Sequence, residues 1–121
     1  MISNDMKLDI INELSSELEL LNEYLGHSRS SDDEMTDTER DILSKSYRFY
    51  STAISFTISI LNDIINSDDY QELMNSYLDK AKSSHTDYYE ENFDLEDLDE
   101  ISNHSKAITY YRAYELLNSS L

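Results

Sequence analysis

The stretch FYSTAISFTISILN, residues 49–62, is the longest run of this chain without a charged side chain. It is only 14 residues long and contains five serines or threonines, so it is too short and too polar to span a bilayer. Its apolar residues recur at helical spacing, which indicates a buried helix over about residues 37–66. One side of this helix carries Leu43, Tyr47, Tyr50, Ile54, Thr57, Leu61 and Ile64, and another carries Ile42, Phe49, Ala53, Phe56 and Ile60. Because this helix has two apolar sides, we expect another helix to pack against each of them. The second helix is therefore expected to be long and central.

Three further amphipathic segments surround this helix. The first, about residues 4–25, is followed by Gly26 at the position of a helix C-cap. Residues 36–39 form a capping box that starts the second helix, and an aspartate-rich cap at residues 68–71 starts a third. A fourth helix closes the chain from about Ile101. With one glycine and no proline for tight turns, the sequence predicts an all-α, single-domain four-helix bundle.

The charge balance limits the kind of partner that this chain can bind. Aspartate and glutamate outnumber lysine and arginine by 26 to 9, which gives the 121 residues a formal charge of −17. The helix dipole favours acids in the first turn of a helix, which explains the position of many of them. It does not explain why the lysines and arginines that usually balance them are missing from later turns. Anionic lipid and DNA both attract basic residues, so direct binding to either is disfavoured. The charge serves either solubility or the recognition of a positively charged partner. We treat residues 1–121 as one acidic helical domain.

The densest acidic segment is residues 87–100, where eight acids alternate with aromatic side chains and no basic residue intervenes. Carboxylates one helical turn apart are separated by ~5–6 Å, which is comparable to the phosphate spacing of a nucleic-acid strand. The candidate partner-binding residues in this segment are Asp87, Tyr88, Tyr89, Glu90, Glu91, Phe93, Asp94, Glu96, Asp97, Asp99 and Glu100. Further candidates are Glu13 and Glu17 on the acidic first helix and Asp32, Asp33 and Glu34 in the first loop.

Three interpretations of residues 87–100 stay open: a solvated acidic loop anchored by Phe93, Leu95 and Leu98, a disordered motif that folds on binding, or a nucleic-acid mimic. As a class, small acidic helical proteins of this kind resemble the mimics that phages use against host defence, including anti-CRISPR proteins, and the immunity proteins of nuclease toxins. No family motif is present. The resemblance implies a stoichiometric inhibitor that covers the basic nucleic-acid-binding surface of a nuclease or defence effector, as a monomer or homodimer.

A different class of function is also consistent with the sequence. The second helix has a small, uncharged polar face, and tyrosines recur at residues 110–114 of the fourth helix. Either surface suits self-association, in which case the protein is a structural or adaptor bundle and its acidity serves solubility. The residues of the helix 2 face are Thr52, Ser55, Ser59 and Asn62.

The sequence offers little for catalysis or cofactor binding. No Gly-x-Ser-x-Gly elbow occurs. Glu100 and His104 are four residues apart on one helix face, but a di-metal site needs two Glu-x-x-His motifs with further carboxylates, and the sequence has no such motif. His27, His85 and His104 fall at loop or helix-end positions, where we expect exposed imidazoles. We therefore predict no enzyme activity, no cofactor and no metal. The first residues lack a signal-peptide pattern, and without cysteine no disulfide can form, so cytoplasmic residence is the default expectation.

Overall fold

The computed structural model describes residues 4–28, 36–67, 69–86, 88–90 and 95–120. These residues form four α-helices and no strand, which confirms the predicted all-α four-helix bundle. The helices are α1 (Asn4–Ser28), α2 (Asp37–Asn66), α3 (Tyr70–Ser84) and α4 (Leu98–Ser120). With 30 residues, α2 is the longest.

The helices α2 and α4 lie against each other and form the short diagonal of the bundle. Arg48 Nη1 lies 3.5 Å from Ser102 Oγ, and the rings of Phe56 and Tyr110 are 5.5 Å apart, so these two helices run parallel. Helix α1 packs along α2, and α3 packs along α4, whereas the α1–α4 and α2–α3 sides of the bundle touch only locally. As predicted, α2 is central, and it shares that position with α4.

The core follows this diagonal in two clusters. The larger cluster contains the buried residues Ile10, Leu14, Ile60, Ile64, Tyr70, Met74, Tyr77, Ala81, Tyr110, Ala113 and Leu117. The smaller cluster, Phe49, Ile101 and Ile108, lies nearer the start of α2. The burial of these large side chains, at ~1.5–3 kcal/mol each, opposes the repulsion among the carboxylates.

Two residues that the apolar pattern assigned to the core are in fact exposed. Ile42 is 54% exposed and Tyr47 is 41% exposed. The reason is that α1 runs antiparallel to α2, and its Tyr24 ring already lies 5.2 Å from that of Tyr50. Helix α1 ends at Ser28 and does not extend as far as Ile42.

The predicted starts of α2 and α3 are confirmed by their caps. The hydroxyl of Thr36 accepts a hydrogen bond from the Glu39 amide at 3.2 Å, and the Asp69 carboxylate accepts one from the Glu72 amide at 3.0 Å. Each bond satisfies an amide that has no partner inside its helix. The N-cap residues of α2 and α3 therefore lie in the segments in which the sequence predicts them.

The predicted end of α1 and start of α4 are wrong. Gly26 does not cap α1, because the helix continues to Ser28 and no described residue has a positive φ. Helix α4 begins at Leu98, before the predicted Ile101. Its first turn is held by Asp97, whose carboxylate accepts a hydrogen bond from the Asp99 amide at 2.9 Å.

The end of α2 is held by side chains from its neighbours. The last carbonyls of a helix have no partner inside it. Here the Tyr70 hydroxyl donates to the carbonyl of Ile64 at 3.0 Å, and the Lys7 ammonium donates to the carbonyl of Ile65 at 3.0 Å. The boundary of α2 therefore depends on α3 and α1 as well as on its own sequence.

Candidate partner-binding surface

The described carboxylates lie on the outside of the bundle. Seven of the 26 acids fall outside the described residues, and of the remaining 19 every side chain except half-buried Glu17 is exposed. Only four of the 19 lie within 4.0 Å of a basic group in the described part, and these are Glu17, Asp37, Asp41 and Glu100. Most of the negative charge of the described chain is therefore available to a partner.

Four tyrosines form a cluster where the chain passes from α3 to α4. The ring of Tyr88 lies 4.3 Å from that of Tyr89 and 5.0 Å from that of Tyr111, and Tyr89 also lies 5.0 Å from Tyr111. Tyr114 joins at 5.7 Å from Tyr111. Tyr89 is 65% exposed and the other three are half-buried, so the cluster is a solvent-facing aromatic surface. We call these four residues the tyrosine cluster.

Two phenols of this cluster, those of Tyr89 and Tyr111, have a pKa above the ordinary value and stay neutral. A hydrogen bond with Tyr88, whose hydroxyl lies 3.1 Å away, raises the pKa of Tyr89. Partial burial and then the nearby carboxylate of Glu115 raise the pKa of Tyr111. Neutral phenols can donate and accept hydrogen bonds, and their ring faces attract guanidinium groups. With the exposed carboxylate of Glu90 following Tyr89 in the chain, this surface suits arginine side chains.

Three further described acids of the segment lie elsewhere. Glu96, Asp97 and Asp99 are exposed at the start of α4, where Asp97 serves as a cap. Along the helix they are ~20 Å from Tyr111. The structure therefore brings Tyr88 and Tyr89 against Tyr111 of α4, and it places Glu96, Asp97 and Asp99 in a second region.

Near the start of α4, one of the three histidines is buried and another is half-buried. His104 is fully buried, and the side chain of His85 is only 15% exposed, so the expectation of exposed imidazoles is wrong for both. The cause is the packing of α4 on α2 and on the end of α3, which places the His104 ring 5.8 Å from that of Phe49 and 5.1 Å from that of His85. The Glu100 carboxylate lies 3.2 Å from His85 Nε2. The side chain of His27 lies outside the described part.

On α1, the predicted residues Glu13 and Glu17 lie next to α4. The Glu17 carboxylate accepts a hydrogen bond from Arg112 Nη1 at 3.2 Å. Both glutamates line a groove that they share with Arg112. The predicted residues Asp87, Glu91, Phe93, Asp94, Asp32, Asp33 and Glu34 lie outside the described residues.

Sequence reasoning missed two features of this surface. Tyr111 and Tyr114 were expected in the core or in a self-association surface, and Glu115 was not singled out. The contact of Tyr111 with Tyr88 and Tyr89 joins positions more than twenty residues apart, and no local pattern in the sequence indicates it. Two other tyrosines, Tyr77 and Tyr110, are buried in the core with their rings 5.5 Å apart. Burial and then a hydrogen bond to Asp63 raise the pKa of Tyr77 far above its ordinary value.

The described residues contain no cluster of three or more histidine, aspartate or glutamate side chains arranged to hold a metal ion. Within the same residues, no helix has both the length and the apolar character of a membrane span. The fold and the surface define an acidic all-α bundle with an aromatic patch. No known protein family, curated protein or solved structure matches the chain.

Proposed function

We propose that this chain is a cytoplasmic, non-enzymatic inhibitor that binds the basic nucleic-acid-binding surface of a nuclease or defence effector. The observation that carries the proposal is the tyrosine cluster, which lies on a surface where most carboxylates have no basic partner. No covalent step is required. Occupying the groove of the target is enough to exclude its substrate.

The two parts of this surface have different roles in the proposed complex. The dispersed carboxylates attract a basic partner at long range and make association fast and sensitive to salt. The tyrosine cluster supplies contact area at low conformational cost, and it can stack against arginine side chains. Tyrosine and arginine are both enriched among the residues that dominate binding energy at interfaces. A nucleic-acid-binding groove offers the arginines that such a surface requires.

Competition with nucleic acid tests this proposal. The immobilised protein is incubated with lysate of its native cells at low salt, and bound proteins are then challenged with an excess of DNA or RNA. We expect nucleic-acid-binding proteins to be captured and then displaced. Capture should fall strongly for Tyr89→Ala combined with Glu90→Lys.

A charge-matched control keeps this test specific. Glu19→Lys makes the same charge change as Glu90→Lys on an exposed position of α1, and it should reduce capture only slightly. The proposed inhibitor would be excluded if the captured proteins stayed bound in excess nucleic acid. It would also be excluded if Glu19→Lys reduced capture as much as Tyr89→Ala combined with Glu90→Lys.

Self-association is a second candidate function, and the outer face of α2 favours it. Ser55, Ser59 and Asn62 are exposed there, and so are the apolar side chains of Ile58 and Ile65. An exposed, uncharged face of this kind is a common element of protein interfaces. Light scattering distinguishes the two candidates, since a stable homodimer that Ile58→Glu converts to monomer would support the adaptor function. A monomer at all concentrations would exclude it.

A further inference from the structure

The two open sides of the bundle are filled differently. On the α2–α3 side, the rings of Phe56 and Tyr77 each lie 5.5 Å from that of Tyr110 and occupy the space between the helices. On the α1–α4 side, the corresponding floor of α2 carries the small residues Ala53 and Thr57. A hollow of about 110 Å³ lies on that side.

This hollow is the middle of a longer groove between α1 and α4. Hollows of about 260 and 350 Å³ adjoin it, and all three share Arg112. The groove extends from Tyr24 at one end to Glu13 and Ser119 at the other. At the rise of an α-helix, the distance between Glu13 and Tyr24 along α1 is ~16 Å, or about three turns.

The groove has an apolar floor and an acidic rim. Leu14, Leu21 and Ile60 contribute to the floor, and the Thr109 hydroxyl donates to the Ser105 carbonyl at 2.8 Å. On the rim, Arg112 offsets the charge of Glu17.

Two rim carboxylates have no such compensation. Glu13 and Glu115 have no basic group within 4.0 Å among the described residues. A suitable occupant therefore offers an apolar side chain to the hollow and cations to the rim. A second copy of this chain, with its own charge of −17, fits the rim poorly.

We infer that this groove binds an amphipathic basic helix of the partner, with a leucine-sized side chain in the hollow and lysine or arginine against Glu13 and Glu115. Apolar anchors in a groove with flanking charges are a recurring mode of helix recognition. The inference rests on the proposed function, because the helix belongs to the same basic partner. Glu115 connects the two sites, since it lines the groove and its charge reaches Tyr111.

The experiment uses the whole protein and three labelled peptides of about 16 residues, a length that covers the groove. The first peptide has leucines at helical i, i+3 and i+4 spacing and lysines elsewhere. The second replaces the leucines with serine, and the third replaces the lysines with glutamate. Fluorescence anisotropy at physiological salt should show tight binding of the leucine–lysine peptide, weak binding of the serine peptide and none of the glutamate peptide.

Two variants locate the bound peptide. Thr109→Leu fills the hollow and should weaken the leucine–lysine peptide by about ten- to hundredfold, the effect of excluding one aliphatic side chain. Glu13→Lys with Glu115→Lys should weaken it by at least about tenfold. The control, Glu19→Lys with Glu72→Lys, makes an equal charge change on exposed positions away from the groove and should have a smaller effect. If circular dichroism shows that Thr109→Leu does not fold, the test depends on the affinity of Glu13→Lys with Glu115→Lys compared with that of its control.

Unchanged affinity in both groove variants, or equal losses in the rim pair and its control, would overturn the inference. This failure is distinguishable from failure of the proposed function. If only the groove is wrong, the native partner is still displaced by nucleic acid and still depends on Tyr89. If the proposed function is wrong, nucleic acid displaces nothing, whatever the peptides show.

Discussion

Replacing Tyr77 with phenylalanine removes one hydroxyl from the centre of the bundle and leaves the ring in place. Tyr77 is fully buried, and its hydroxyl donates to Asp63 Oδ2 at 3.0 Å. A hydrogen bond to a charged group contributes about 1.5–3 kcal/mol. Asp63 is exposed and regains water when the hydroxyl is lost, so the lower end applies. At pH 7 we expect Tyr77→Phe to reduce the free energy of unfolding by about 1.5 kcal/mol.

The same substitution should lose its effect at high pH. Burial, followed by the hydrogen bond to Asp63, raises the pKa of Tyr77 well above its ordinary value, so the folded protein keeps this proton when the unfolded chain releases it. Above pH 10 the wild type therefore becomes less stable as the pH rises. At pH 11 this costs about 1.4 kcal/mol at Tyr77 alone. The variant has no phenol at this position, so the difference between the two proteins should fall to nearly zero.

Urea denaturation followed by circular dichroism at pH 7 and pH 11 measures both effects. The two proteins have all other tyrosines in common, so the contribution of those tyrosines cancels in the comparison. A difference in stability that is the same at the two pH values would show that Tyr77 ionises as easily in the folded protein as in the unfolded chain. The assigned hydrogen bond and burial would then be wrong.

Three further predictions concern stability. Gly26→Ala should stabilise the protein by about 0.4–1 kcal/mol in urea denaturation, because Gly26 is helical and its added Cβ has no heavy atom within 4 Å, and a loss of stability would contradict this. Ser105→Ala should cost about 1 kcal/mol by the same assay, because it removes the buried 2.6 Å hydrogen bond from the Ser105 hydroxyl to the Phe49 carbonyl, and an unchanged midpoint would argue against that bond. Sodium chloride should raise the thermal midpoint by screening repulsion among the exposed carboxylates, and scanning calorimetry that shows a fall would refute this.

Much of the fold could be predicted because local chemistry determines it. The cap residues Thr36 and Asp69 were enough for the starts of α2 and α3, and the helical spacing in residues 49–62 was enough to indicate that α2 is a buried helix. Gly26 misled because a glycine can remain in a helix at a cost of only about 1 kcal/mol. The start of α4 had a usable signal, since Asp97 and Glu100 have the spacing of a capping box.

The candidate site could be predicted only in part, because its geometry depends on contacts between distant residues. The sequence indicated Tyr88, Tyr89 and Glu90, but Tyr111 contacts the two tyrosines only through the packing of α4. The burial of His104 likewise depends on where α4 meets Phe49. The groove between α1 and α4 exists because α2 carries the small residues Ala53 and Thr57 beneath it. No motif in the sequence indicates this groove.

The short diagonal between α2 and α4 also affects how the chain is made. Of the four helices, α4 is synthesised last, yet Ile60 on α2 belongs to the same core cluster as Leu117 on α4. At the usual rate of translation, ~5–20 residues per second, Leu117 is synthesised about 3–11 seconds after Ile60. During this interval, neighbouring nascent chains on one messenger RNA expose the apolar sides of their helices to each other. Because every chain is acidic, electrostatic repulsion opposes their aggregation.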